Sequence, residues 1–236
     1  MASLPLPPIA ILAGGLATRL HPLTEKMPKA LIEVAGAPFI THQLRLLRRE
    51  SFQQVVLCLG YLGEMVQELV GDGAQFGMAV SYSFDGDKLL GTGGALKRAL
   101  PMLGDGFFVL YGDSYLDIDY SAPLAQFRKS AAPALMTVLR NEGRWDTSNV
   151  LFDDARVVRY DKQSPSPDMR YTDYGLGILS SEVIAAWPEE AFNLATLYAK
   201  LAEEGKLAGF EVFRRFYEIG TPKGLAETNA YLRGRG

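Results

Sequence analysis

The chain has 236 residues, 48% hydrophobic and 22% charged, with a formal net charge of −3; this is long enough to bury a sizeable core in one domain, or one domain with a small annex, and excludes disorder. So small a net charge gives no reason to expect nucleic acid or an acidic membrane as partner, so any anion site is local. No apolar run approaches the roughly 18–20 residues that span a bilayer, and the start MASLPLPPIA lacks a basic stretch ahead of an apolar one, so the expectation is a cytoplasmic protein.

Residues 9–13, bounded by Pro7-Pro8 and Gly14-Gly15, read as a buried strand entering a tight turn. The loop that follows carries Arg19, Lys26 and Lys29. Glycines let backbone N–H groups approach a ligand closely, and three nearby cations suit a polyphosphate. On this spacing alone, a plain Gly-Gly turn with solvated cations is an equal alternative.

Residues 31–34 read as a short extended piece. Pro38 opens a helix with Phe39, Ile40, Leu44 and Leu47 at near-helical spacing. A second strand over 54–59 holds the single cysteine, Cys58, in an apolar run that points to core packing. One cysteine allows no internal disulfide, and two histidines, His21 and His42, argue against a structural zinc site. A helix over 64–70 and a third strand over 79–83 complete β-α-β-α-β, which predicts a parallel sheet with ligands beyond the carboxyl ends of its strands. The opening loop lies at such an end.

Residues 84–94, FDGDKLLGTGG, read as a loop that either meets a ligand or merely turns, followed by a helix over 95–100 that Pro101 stops. The apolar strand 107–111 ends at Gly112-Asp113-Ser114. Asp113 is either a cap or a carboxylate placed to hold a hard cation near phosphates; Asp117 and Asp119 read as solvent-facing or capping. Further strands are expected over 134–139, in a hairpin of 149–152 with 157–160, and over 174–179, with an irregular, mobile loop at 164–167. Helices over 182–186 and 194–204, strands over 207–213 and 216–219, and a final helix capped by Thr221 before Pro222 complete the chain.

The string LAGGLATRLHPLTEKMPKAL resembles the opening signature of the sugar-1-phosphate nucleotidyltransferases. In the same order come GDGAQFG at 71–77, LGTGGALK at 90–97, YGDSYLDID at 111–119, YDK at 160–162 and YEIGTPKGL at 217–225. Six ordered matches cover essentially the whole chain, and the LGTGGALK and GDSYLDID pieces are most similar to the branch with heptose- and mannose-1-phosphate guanylyltransferases. Muramate-phosphate uridylyltransferases are near relatives of that branch. The resemblance implies a single nucleotidyltransferase domain with a Rossmann-like, mixed but mainly parallel central sheet flanked by helices. Residues 1–115 would hold the nucleotide and 116–236 the sugar phosphate.

The resemblance also implies roles. Ala13, Gly14, Gly15 and Thr18 would surround the nucleoside triphosphate, with Thr92 and Gly93 near its base. Arg19 and Lys29 would contact the phosphates. Asp113 and Glu218 would hold Mg²⁺, while Lys162, with Asp161 and Gly175, would bind the sugar 1-phosphate. Four positions depart from the family pattern. Ala17 replaces a glycine, tolerable if φ stays negative; Ala30 replaces a proline, loosening the loop; Asp161 and Glu218 exchange glutamate and aspartate, moving each carboxylate by one methylene.

The expected reaction transfers a nucleotidyl group to a sugar 1-phosphate, with GTP and a heptose or mannose 1-phosphate as first choice. UTP with a muramate or hexose phosphate is the second, and a CTP:phosphocholine-type cytidylyltransferase a third. A nucleotide-sugar-binding regulatory subunit is the non-enzymatic alternative. A dinucleotide oxidoreductase is disfavoured because the loop lacks G-x-G-x-x-G. Tyr115, Trp145, Tyr171 and Tyr174 are either pocket walls or core, and a monomer or small homo-oligomer is expected.

Overall fold

A computed structural model describes residues 6–15 and 17–235. In chain order the strands are β1 (Ile9–Leu12), β2 (Glu33–Val34), β3 (Ala37–Pro38), β4 (Gln54–Leu59), β5 (Ala79–Phe84), β6 (Gly106–Tyr111), β7 (Ser114–Tyr115), β8 (Ala134–Arg140), β9 (Val150–Asp153), β10 (Arg156–Tyr160), β11 (Tyr171–Ser180), β12 (Leu207–Val212) and β13 (Tyr217–Glu218). The helices are α1 (Phe39–Arg49), α2 (Gly63–Val70), α3 (Gly91–Ala99), α4 (Ser121–Ser130), α5 (Ser181–Ala185), α6 (Leu194–Glu203) and α7 (Pro222–Arg233).

The main sheet runs β5-β4-β1-β6-β11-β8-β12-β10-β9. Its first four strands are parallel, as expected where helices cross over between strands. The expectation of a mainly parallel sheet fails beyond β6. There β11 runs antiparallel to both β6 and β8, and the β9–β10 hairpin adds two more antiparallel pairings. A bridge between Tyr171 and Val150 returns β9 to β11, so the second half is partly closed into a barrel. Short connections reverse a strand, and this half has a hairpin where the first half has long crossovers.

Alternation along β1 feeds a core on each face. Ile9 and Ile11 join Leu57, Phe108, Ile40, Leu44 and Leu47 on one side; Ala10 joins Val56, Cys58, Val109 and Leu96 on the other. Phe52, Phe108 and Tyr120 meet edge to face, with Phe52 5.2 Å from each of the other two rings. Each such buried side chain stabilises the fold by about 1.5–3 kcal/mol. Cys58 is packed as expected, and burial pushes its thiol up to about 12.

Two helices differ from the sequence reading. The helix expected from 95 starts at Gly91, because the Phe192 carbonyl accepts the N–H groups of Gly93 and Gly94 and organises the first turn from outside. Helix α4 was not expected, since SAPLAQFRKS shows little apolar period. Asp119 is exposed and accepts from Ser121 N at 2.8 Å, in keeping with its capping role. Asp117 instead is buried, with 9% of its side chain accessible, and pairs with Arg49, Arg214 (2.9 Å) and Arg235 while accepting from the Tyr231 hydroxyl at 3.1 Å. It joins β7, α1, the turn after β12 and the end of α7.

Burial alone would raise the Asp117 pKa, but hydrogen bonds from Arg49, Arg235 and Tyr231 outweigh it and hold the carboxyl below its usual range. The stability it contributes is therefore present above the ordinary carboxylate pKa and is lost only as pH falls through the depressed folded value. Asp117→Asn is expected to cost about 1.5–3 kcal/mol in urea unfolding at pH 7. The deficit should shrink towards the acid limb, and a pH-independent deficit would contradict this account.

Candidate active site

The parallel register sets Leu12 of β1 opposite Cys58 of β4 and Tyr111 of β6, so the residues leaving all three strands meet at one rim. Backbones touch there. A Cβ on Gly14 would lie 2.9 Å from Gly60 N, and one on Gly112 would lie 2.5 Å from the Leu12 carbonyl oxygen, so both positions demand glycine for packing. Gly15 is different: a Cβ there would meet nothing within 4 Å, and packing does not explain the glycine. Above this floor opens a cavity of about 430 Å³ whose walls include Ala13, Gly14, Gly15, Lys29, Thr92, Asp113 and Lys162. Asp85, Tyr111 and Asn193, which sequence reasoning did not select, line it as well.

Lys29, in a 3-10 turn, donates to Asp113 Oδ2 at 2.7 Å. Arg19 and Glu218 come to the same place from opposite ends of the chain. A single point beside Gly220, where its Cβ would be, lies 2.8 Å from Glu218 Oε2, 3.0 Å from Asp113 Oδ2 and 3.4 Å from Arg19 Nη2. The extra methylene lets the Glu218 carboxylate fold back on its own chain. Its Oε2 accepts from Gly220 N and its Oε1 from the Thr221 hydroxyl at 2.7 Å, while Thr221 Oγ1 accepts from Gly224 N at 2.9 Å and caps α7. Among the described residues no three His, Cys, Asp or Glu side chains group as a complete metal cage. Two converging carboxylate oxygens are the donor set Mg²⁺ uses when water and substrate phosphates complete its shell, so the pair fits that ion.

A second cavity of about 700 Å³ adjoins the first, and Thr92, Tyr111, Lys162 and Asn193 line both. Lys162 Nζ lies 3.2 Å from Asp173 Oδ2 and 4.9 Å from the centre of the Tyr111 ring. Asp161 borders this second cavity but uses Oδ1 to accept from Gln163 N and Ser164 N, at 2.9 and 2.8 Å; those bonds hold its carboxyl below the usual range.

Several expected residues stand back from the first cavity. Thr18 and Arg19 are exposed, and neither borders it. A Cβ on Gly93 would collide with the Phe192 ring, so this glycine serves the packing of α3. Gly175, at φ 94°, sits behind Ser114 and Tyr111 and donates to Asp173 Oδ1 at 3.0 Å. Tyr115 and Tyr174 are core, whereas Trp145 lies on the surface beneath Arg144 and Arg215. Ala30 is buried against the core yet borders the cavity. Ala17 has φ 49°, contrary to the negative φ that would have made its methyl harmless.

A floor of strand-end glycines, two lysine–carboxylate pairs, an arginine and two converging carboxylates define a site for a phosphorylated substrate in an α/β domain. The family model described as nucleotidyl transferase matches residues 9–233, and the chain belongs to that family of enzymes. It is 31% identical to the D-glycero-alpha-D-manno-heptose 1-phosphate guanylyltransferase of Campylobacter jejuni, across 90% of this chain and 94% of that one. It is 30% identical to the N-acetylmuramate alpha-1-phosphate uridylyltransferase of Caulobacter vibrioides, across 94% and 95%. Other relatives are longer: the match spans 55% of the UTP–glucose-1-phosphate uridylyltransferase of Synechocystis, at 29% identity. In fold the chain resembles HddC from Yersinia pseudotuberculosis complexed with GMP-PN, with a TM-score of 0.81 at 24% identity over 96% of this chain and all of that one. No helix among the described residues is long and apolar enough to cross a membrane.

Gly220 has no positive φ, so Gly220→Ala should fold with a melting temperature near that of the parent. Its methyl would push apart Asp113, Glu218 and Arg19, and turnover should fall about 100-fold or more. Ala17→Gly should relieve left-handed strain and raise stability by about 1 kcal/mol in thermal unfolding.

Proposed function

We propose that this protein joins a nucleoside triphosphate to a sugar 1-phosphate, releasing pyrophosphate, with GTP as nucleotide and a heptose or mannose 1-phosphate as acceptor. An oxygen of the sugar phosphate attacks the α-phosphorus, a P–O bond forms there, and the bond to the β-phosphate oxygen breaks. Repulsion between anions is the main obstacle, so the work is positioning and charge neutralisation. No general base is required, because a phosphate with a second pKa of about 6 is largely dianionic at neutral pH.

In this reading Gly15 leaves room for the triphosphate, and Arg19 and Lys29 take its charge, Arg19 by a planar fork and Lys29 as a point charge. Lys162 takes the sugar phosphate. Asp113 and Glu218 hold Mg²⁺, which when bound supplies Lewis-acid neutralisation of the phosphate oxygens. Residues 1–115 bear the nucleotide and 116–236 the sugar phosphate, with Lys162 and Asn193 of the second half also lining the nucleotide cavity.

The observation that supports guanine is Asp85. It is 7% exposed, borders the cavity of about 430 Å³, and accepts from Leu90 N at 3.3 Å through Oδ2. An ionised carboxylate only accepts, and guanine presents two adjacent donors, N1–H and N2–H₂, on one edge. Uracil presents one N–H between two carbonyl oxygens that the carboxylate repels. Burial pushes the Asp85 pKa up, against the Leu90 N–H and the charge of Arg98. Guanine binding should therefore weaken as pH falls, beginning above the usual carboxylate range, because the protonated acid loses an acceptor.

The defining test is pyrophosphate release with Mg²⁺, across GTP, UTP, CTP, dTTP and ATP, each against a panel of sugar 1-phosphates and phosphocholine. GTP with a heptose or mannose phosphate is the expected pair. Productive UTP with a muramate phosphate would replace it, and tight nucleotide binding without release would mark a regulatory subunit. Asp85→Asn should lower kcat/KM for GTP by about 10–100-fold and narrow or reverse its lead over UTP, since an amide pairs with the uracil edge. Arg19→Ala and Asp113→Ala should each cut turnover about 100-fold or more with the fold intact by circular dichroism; near-parental rates would remove that residue's role.

A further inference from the structure

Asp173 of β11 carries a carboxylate that sequence reasoning did not single out. Its side chain is 3% accessible, and a buried carboxylate persists only where donors surround it. Four do. Oδ2 accepts from the Tyr160 hydroxyl at 2.9 Å and the Tyr111 hydroxyl at 3.2 Å, and faces Lys162 Nζ at 3.2 Å; Oδ1 accepts from Gly175 N at 3.0 Å. Three donors saturate Oδ2, and burial of the side chain keeps a substrate hydroxyl away from Oδ1.

Lys162 is the member that reaches out. Its side chain is 42% accessible, it borders both cavities, and its ammonium lies 4.9 Å from the Tyr111 ring centre and 5.7 Å from that of Tyr160. A free lysine stem would sample many rotamers. Here one carboxylate and two aromatic faces fix the ammonium, while two of its three N–H groups remain for a ligand. The tyrosine hydroxyls share the charge of Asp173 Oδ2, so the carboxylate does not cancel the cation outright. Burial next to Asp173 pushes both phenols up, so they stay donors at every working pH.

We propose that Asp173 is a positioning residue for the sugar-phosphate half of the site: it aims the Lys162 ammonium, with Tyr111 and Tyr160 holding the carboxylate in turn. The proposal rests on the reading of Lys162 as the cation that binds the acceptor phosphate. Because Tyr111 ends the strand that leads into Asp113, the same network fixes the acceptor cation relative to the triphosphate end of the cleft.

The test compares Lys162→Met, Asp173→Asn, Tyr160→Phe and the Asp173→Asn/Lys162→Met double variant, using the nucleotide and sugar 1-phosphate found productive with the parent. Asp173→Asn keeps the size and one acceptor oxygen but removes the charge that anchors lysine. It should raise KM for the sugar 1-phosphate about tenfold while KM for the nucleotide stays within about twofold. Tyr160→Phe should move the same constant in the same direction. In Lys162→Met the added Asp173→Asn change should have no further effect on that KM, because the group it aims is gone. A parental KM in Asp173→Asn, where Lys162→Met raises it, would overturn the positioning role and leave the lysine reading standing. An unchanged KM in Lys162→Met would overturn the lysine reading and this proposal with it. Equal rises in both substrates' KM, accompanied by a lowered melting temperature, would make Asp173 a purely structural residue and also overturn it.

Discussion

Everything at the candidate site depends on β1 lying between β4 and β6 in parallel register. The strand itself is only four residues, but its two ladders bring three chain reversals to one rim, where backbones approach closely enough to exclude a Cβ at Gly14 and Gly112. The cavity floor is thus backbone, and the charged groups stand around it. The long apolar runs of β4 and β6 and the alternation in β1 exist to hold that rim in place, with core on both faces.

The charges are arranged in pairs rather than as an open basic patch. Lys29 faces Asp113 and Lys162 faces Asp173, each carboxylate coming from a different strand of the sheet or its exit. This agrees with the acidic balance of the whole chain: a local anion site needs oriented cations, and the field of the rest of the protein does not supply them. The pairs also hold flexible lysine stems in place, which lowers the entropy lost when a phosphate is bound.

The parallel first half was legible because crossover helices leave a strong alternation of apolar strand, glycine turn and amphipathic helix. Asp113 was legible because a glycine releases it from a continuously apolar strand, and Thr221 because a cap followed by proline is a local signal. What was hidden depends on distant partners. Helix α3 begins early because of the Phe192 carbonyl, a hundred residues away in sequence, and the Gly93 that looked like a ligand contact packs under the same residue's ring. Asp85 and Asp173 gave no motif, since only the sheet brings them to the cavity. The antiparallel placement of β11 was equally invisible: its residues read as a buried strand, and nothing local to 171–180 specifies which neighbour it joins or in which direction. Ala17 shows the converse case, where a residue poorly suited to its backbone is held in the left-handed region by the surrounding loop.

Strand β11 is hydrogen-bonded along one edge to β6 and along the other to β8, so it stitches together the halves that bear the two expected substrates. A fragment ending near residue 115 would leave β6, with Phe107, Phe108, Val109 and Leu110, as an uncovered and strongly apolar sheet edge of the kind that recruits other chains. The halves are therefore not separable modules. Under the proposed reading, a new acceptor specificity would arise by reshaping the loops between β8 and β11, since exchanging the second half would remove the strand that completes the first.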